Sequence, residues 1–178
     1  LQSVQETRKA EGGGQLTTTV ALPEMRRGKI AVSFATLFAR STGSPSPDTD
    51  YGSVAQASGV VEGQLAYYRA LEREGHVTII ENGKTLQSHI QSWQEWEANE
   101  TEDSLPLGLI ISMEGADPIL DADQLEDWVG KGLRLLGLSH YGVGRYCGGT
   151  GTEEGLSDLA PPLLRTMSQL KVILDLTH

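Results

Sequence analysis

Leu107-Gly-Leu-Ile-Ile-Ser-Met-Glu114 is an apolar, strand-like run that stops at a residue able to bind a metal or move a proton. Two later stretches repeat the design, Leu133-Arg-Leu-Leu-Gly-Leu-Ser-His140 and Val172-Ile-Leu-Asp-Leu-Thr-His178. Short apolar runs of this kind suit buried strands. Between them, Asp121 to Lys131 and Leu156 to Leu170 have helical character. Strand, helix, strand, helix, strand predicts an α/β fold with a parallel sheet. All strand ends of one sense then share a face, and α/β proteins build their sites at the carboxyl ends. Glu114, His140 and His178 are therefore expected to converge.

Upstream, Leu1 to Glu11 reads as a polar helix stopped by Gly12-Gly13-Gly14, followed by a flexible segment from Gln15 to Val20. Leu22 to Gly28 fits a short helical turn, with Pro23 near its start and Gly28 after its end. Lys29 to Phe38 is continuously apolar with β-branched and aromatic members, which predicts a strand buried on both faces. Ser41 to Asp50, with Pro45 and Pro47, is a loop leading from that strand's carboxyl end to the next helix. Val54, Val61, Leu65, Tyr68 and Leu71 have the spacing of a long helix within Tyr51 to Gly75. Val77 to Ile80 is a short strand or connector, and a further helix is predicted over Thr85 to Ala98.

Bulk properties narrow the function classes. A chain of 178 residues, 38% hydrophobic and 21% charged, can bury one substantial core, so one domain over 1–178 is expected. Fourteen basic against 24 acidic residues leave a formal charge of −10, which opposes phosphate backbones and anionic lipid, so no nucleic-acid partner is expected. No apolar run approaches the roughly 20 residues of a membrane span. Cys147 is the single cysteine and has no internal disulfide partner, so nothing calls for an oxidising compartment and a cytoplasmic location is expected. The start at Leu1 and the stop at His178, just after a strand of buried type, read as truncation at both ends. A whole (β/α)8 barrel takes roughly 250 residues, so about half of one is the expected content.

Other candidates are weaker. Trp93 and Trp96 could stack a ligand but read better as packing. His76 and His89 have no metal-ligand partner at useful spacing and read as structural. Tyr141-Gly-Val-Gly-Arg-Tyr-Cys-Gly-Gly-Thr-Gly-Thr152 follows a strand, yet its glycines lack the dinucleotide spacing and no Gly-Lys-Ser/Thr is present. It is read as a mobile loop over the carboxyl face, with Tyr141, Arg145 and Tyr146 as expected substrate contacts. A single strand-end Glu or His is most often structural. Three at successive strand ends point instead to a metal site, because carboxylate and neutral imidazole hold zinc while leaving positions open for water.

The sequence resembles the membrane (renal) dipeptidase family of zinc metallopeptidases. The residues that carry the likeness are Leu22 to Phe38, Ser112-Met-Glu-Gly-Ala-Asp-Pro-Ile119, Leu135-Leu-Gly-Leu-Ser-His140, Gly155-Leu-Ser-Asp-Leu-Ala160 and Leu174-Asp-Leu-Thr-His178. The match spans nearly the whole chain in the family's order. It implies part of a (β/α)8 TIM-type barrel, about the second to fifth strands, and a metallodipeptidase that hydrolyses dipeptides. The resemblance makes Glu114, after the third strand, the bridge between two zinc ions and His178, ending the fifth, a ligand to one of them. His140, ending the fourth strand, becomes the catalytic contact to substrate and to the developing oxyanion. The implied mechanism is metal-assisted amide hydrolysis by a hydroxide held between the two ions.

The family's first-strand His-x-Asp pair should lie upstream of Leu1, and its later zinc histidine and active-site aspartate beyond His178. The isolated chain is therefore expected to be inactive. Tyr141-Gly-Val-Gly after His140 is similar to bacterial rather than animal relatives. A homodimer is a possible assembly. A related amidohydrolase acting on another amide, or a non-catalytic barrel binding a small ligand, are the alternatives.

Overall fold

The computed structural model describes residues 20–44, 49–99 and 105–178. The polar helix expected over Leu1 to Glu11 and nearly all of the flexible segment after it lie outside the described residues. The chain divides into two compact units. One holds the described part of Leu1–Ser33 together with Leu71–Leu109; the other holds Phe34–Ala70 and Ile110–His178.

In the first unit, helix α1 (Leu22–Arg27) has Pro23 in its opening turn, Glu24 in the first turn and Arg26 and Arg27 in the last. Proline there forfeits only an N–H that has no helical partner, and the charges oppose the helix dipole. The Arg26 guanidinium donates to the carbonyls of Leu105 (3.3 Å) and His76 (2.9 Å). Strand β1 (Val32–Leu37) begins here, as does the last turn of helix α2 (Val54–Arg73). Strand β2 (Val77–Ile79) pairs in parallel with the start of strand β3 (Leu107–Met113), Val77 opposite Leu107 and Ile79 opposite Leu109. Helix α3 (Gly83–Asn99) is preceded by Asn82, whose Oδ1 accepts from the Thr85 N–H at 2.9 Å.

The aromatic and histidine candidates of this unit are structural. Trp93 is buried and donates its indole N–H to the Pro106 carbonyl at 3.0 Å, with Trp96 packed edge-on at 5.3 Å. His89 is buried with Nε2 2.9 Å from the Ala31 carbonyl. His76 lies 3.5 Å from Glu74.

The second unit carries the rest of β1 and β3, followed by helix α4 (Leu125–Gly130), strand β4 (Leu133–Gly137), helix α5 (Ala160–Leu170) and strand β5 (Ile173–Asp175). Its strands neighbour one another in the order β1-β3-β4-β5. β3 and β4 run parallel with Met113 opposite Leu136; β4 and β5 run parallel with Leu136 opposite Leu174. Helical crossovers between parallel neighbours are the βαβ arrangement that the alternating pattern predicts. Leu37, Ile111, Met113, Trp128, Leu136 and Leu163 are fully buried and form the centre of this core. Gln64 of α2 clamps the end of β1: its Oε1 accepts from the Phe38 N–H at 2.7 Å and its Nε2 donates to the Phe38 carbonyl at 2.8 Å.

Several elements differ from the sequence expectation. β1 is shorter than Lys29 to Phe38 and is not buried on both faces. Ala35 and Leu37 are covered, whereas Phe34 is 53% exposed. Successive strand residues point to opposite faces, and Phe34 and Thr36 line an open cavity of about 300 Å³ with Ser112, Leu135 and Asp175. β5 is likewise exposed rather than of buried type, at Ile173 and Leu174. α4 starts later than Asp121 because side chains capture the backbone first: Gln124 N–H donates to Asp121 Oδ1 and Leu120 N–H to Gln124 Oε1. α5 starts at Ala160 rather than Leu156. Pro161 and Pro162 are tolerated only in a first turn, and Ser157 bonds into the preceding loop. Among the described residues no helix is long and apolar enough to cross a membrane.

Candidate metal centre

The second unit brings three strand-end side chains together. Glu114 follows directly on β3. Its N–H donates to the Leu37 carbonyl at 3.0 Å, which ties it to the end of β1. Gly115 then turns the chain at φ +94°, in the left-handed region that favours glycine, and Ala116 N–H bonds the Leu138 carbonyl beyond β4. His140 lies three residues past β4 and His178 three past β5, where Thr177 N–H is held by Asp175 Oδ1 at 3.0 Å.

Glu114 Oε1 is the common point of approach. It lies 2.8 Å from His178 Nε2 and 3.4 Å from His140 Nε2. The two imidazoles stand 4.3 Å apart between ring centres, with Phe38 4.7 Å from His140, and Tyr141 5.0 Å from His140 and 5.2 Å from His178. All three are partly buried. Burial pushes the His140 imidazole below its usual pKa range. The Glu114 carboxylate opposes that shift, while His178 and the Arg40 guanidinium add to it.

One ligand atom from each of the three residues can be chosen so that all lie within 4.8 Å of one another. Two imidazole nitrogens and a carboxylate oxygen form a donor set that suits zinc or another borderline divalent cation. Both Nε2 atoms turn toward the same carboxylate oxygen, so the chemistry of the cluster fits a metal. A cavity of about 280 Å³ adjoins it, lined by Glu114, Ser139, Cys147, Leu156 and His178 among others.

The glycine-rich segment after His140 is folded back on itself rather than loosely held. Tyr141 bridges to Thr150, Val143 to Gly148 and Cys147 to Leu156. Thr150 N–H donates to the His140 carbonyl at 3.0 Å, and a Cβ at Gly149 would overlap that same carbonyl oxygen. The Arg40 guanidinium donates to the Tyr141 carbonyl.

Of the expected substrate contacts, Tyr141 lies against both histidines and is exposed. Tyr146 is a correction: it is 1% exposed, with its hydroxyl donating to the Ile119 carbonyl at 2.9 Å, and burial pushes its phenol pKa up. Arg145 is turned the same way, its guanidinium donating to the carbonyls of Ile119 and Leu120. Loop residues among glycines read as solvent-facing in sequence; here they anchor the loop.

Asp117 is the organising residue that the sequence pattern does not single out. Its carboxylate, 4% exposed, accepts from the Ser41 N–H at 3.0 Å and the Arg145 N–H at 2.8 Å, tying the loops after β1 and β4 to the segment after β3. Its place in Glu114-Gly-Ala-Asp117, just past a strand end, is the signal that could have found it.

The family model of the membrane dipeptidases, peptidase family M19, matches residues 2–178, and the chain belongs to that family. Among solved structures, dipeptidase AC, a metallopeptidase of family M19, is 26% identical over 93% of this chain and 48% of its own, with a TM-score of 0.67. The probable dipeptidase PvdM from Pseudomonas aeruginosa (19% identity, 89% of this chain and 40% of that one, TM-score 0.66) shares the fold. So does an amidohydrolase from Pseudomonas aeruginosa (14%, 88% and 41%, TM-score 0.63). The chain thus spans under half the length of each of these proteins. No curated protein sequence matches. The strand order β1-β3-β4-β5, with β2 paired to β3 outside the series, fits part of a (β/α)8 barrel, the fold of the M19 dipeptidases.

Proposed function

We propose that the full-length protein is a zinc-dependent dipeptidase in which Glu114 and His178 hold metal and His140 acts on the substrate. The observation that carries this reading is the approach of two histidine Nε2 atoms to one Glu114 oxygen, at 2.8 and 3.4 Å, in a chain of the membrane dipeptidase family. Zinc at such a site supplies Lewis acidity and a water acidified toward neutral pH.

The chain's own residues supply the remaining steps. Glu114, partly buried and fixed through its N–H to Leu37, would hold metal through its carboxylate. His140 is aimed by its neighbours Phe38 and Tyr141, and donates a hydrogen bond to the oxygen of the peptide carbonyl as charge develops there. Tyr141, exposed beside both histidines, contacts the bound dipeptide. The three donor side chains grouped among the described residues are fewer than two tetrahedral zinc ions require, so activity is assigned to the full-length protein and the isolated chain is expected to be inactive.

The test is metal removal and return. Full-length protein should contain about two zinc ions per chain, lose hydrolysis of a simple dipeptide on dialysis against chelator, and regain it with added zinc. Hydrolysis that survives complete metal removal rules the reading out. Zinc binding with no hydrolysis of any dipeptide favours the ligand-binding alternative.

A further inference from the structure

Thr150 is bonded to both histidines of the cluster. Its main-chain N–H donates to the His140 carbonyl at 3.0 Å, and its carbonyl accepts from Gly142 N–H at 3.0 Å. Its hydroxyl oxygen lies 3.3 Å from His178 Nδ1 and 3.4 Å from the main-chain oxygen of His178. The hydroxyl has one proton. Directed to the main-chain oxygen, which can only accept, it leaves Oγ1 as the acceptor for an Nδ1–H. Nε2 faces Glu114 Oε1 at 2.8 Å and, since a carboxylate only accepts, donates to it; a ring that keeps its proton on Nδ1 presents a bare Nε2 once a metal takes the place of that Nε2 proton.

We infer that Thr150 is a positioning residue that fixes the tautomer and ring direction of His178, so that Nε2 is delivered to the metal. Metal-bound histidines are commonly held in this way by an acceptor on the other ring nitrogen, and loss of that acceptor costs roughly 10–100-fold in metal affinity. The loop is built to hold the hydroxyl in place. Thr150 is pinned through its own backbone to His140 and Gly142, and neighbouring Gly149 packs so tightly on the His140 carbonyl that a side chain there would overlap it. The glycine-rich stretch, with no nucleotide spacing, thus carries one hydroxyl from the His140 loop to the His178 ring. This inference rests on the metal reading of the cluster.

The test uses full-length protein and zinc itself. Zinc affinity is measured by competition with a chromogenic chelator for wild type, Thr150→Val, Thr150→Ala and Thr150→Ser, with thermal melting of each metal-free form. Val and Ala should weaken zinc binding roughly 10–100-fold, Ser should restore it, and metal-free melting should stay near wild type because Thr150 is exposed. Equal zinc affinity in wild type and both hydroxyl-free variants overturns the inference while leaving the metal reading intact. Failure of Ser to restore affinity also overturns it, since the hydroxyl is then not the operative group. A wild-type protein that binds no zinc overturns both.

Discussion

His178 Nε2 lies 2.8 Å from Glu114 Oε1, although 64 residues separate them in the chain. Each sits just beyond the carboxyl end of its own strand, and β4 runs between those strands in the sheet. Parallel pairing brings distant strand ends to one face, so a proximity of this kind follows from topology rather than from local sequence. The face so formed holds the metal-binding and catalytic candidates, and the buried Asp117 carboxylate braces the loops around it.

Glu114→Ala in full-length protein should lose most of its zinc, because the carboxylate is the point on which both histidines close. Elemental analysis of the purified variant reads this directly, and far-ultraviolet circular dichroism should remain that of the wild type. Full zinc content in the variant contradicts the bridging assignment.

Asp117→Ala should destabilise the fold without acting at the metal. Two main-chain donors, Ser41 N–H and Arg145 N–H, lose their buried acceptor. Leaving buried donors unsatisfied costs about 1–3 kcal/mol each, so a loss of roughly 2–6 kcal/mol is expected in urea unfolding. Asp117→Asn keeps one acceptor oxygen and should lose about half as much. An unfolding midpoint unchanged in both variants shows that the two loops are held by something other than this carboxylate.

Much of this arrangement is legible in the sequence because it depends on patterns that strands and helices enforce. The alternation of apolar runs with helical segments predicts parallel pairing, and the strand-terminal positions of Glu114, His140 and His178 predict a common face. Burial is harder to read. Phe34 and Ile173 are apolar yet exposed, since apolar character marks a capacity for burial and not which face is covered. The loops are least legible. Tyr146 and Arg145 point to main-chain carbonyls that no periodicity reveals, and Thr150 reaches His178 only because Gly142, Gly148 and Gly149 let the loop close tightly.

Gly149→Ala should show how far the reaction depends on the position of the loop. A Cβ at this position would overlap the His140 carbonyl oxygen, so either the loop or His140 has to move. Displacement of about 1 Å near a reacting centre can cost roughly 100-fold in rate. The variant should therefore show a fall in kcat of that order, together with weaker zinc binding if the shift carries the Thr150 hydroxyl away from His178. Wild-type kcat in a correctly folded Gly149→Ala protein means that the loop relaxes without disturbing His140.

His140→Ala gives the sharpest division between chemistry and scaffold. His140 Nε2 is farther from Glu114 Oε1 than is His178 Nε2, at 3.4 against 2.8 Å, and its ring is packed between Phe38 and Tyr141. A group that donates to the oxyanion without ligating metal should leave zinc content intact when it is removed. It should cost roughly 10²–10³ in kcat, the scale for deleting one such donor. KM should change little, because the interaction is made chiefly in the transition state. A purely structural His140 would instead lower the melting temperature and the folded yield, with activity per folded molecule preserved. Steady-state kinetics on a simple dipeptide, zinc analysis and thermal melting on one preparation distinguish these cases. Unchanged kcat with full zinc removes His140 from the chemistry. Loss of zinc makes it a third ligand, joining Glu114 and His178 in holding the metal.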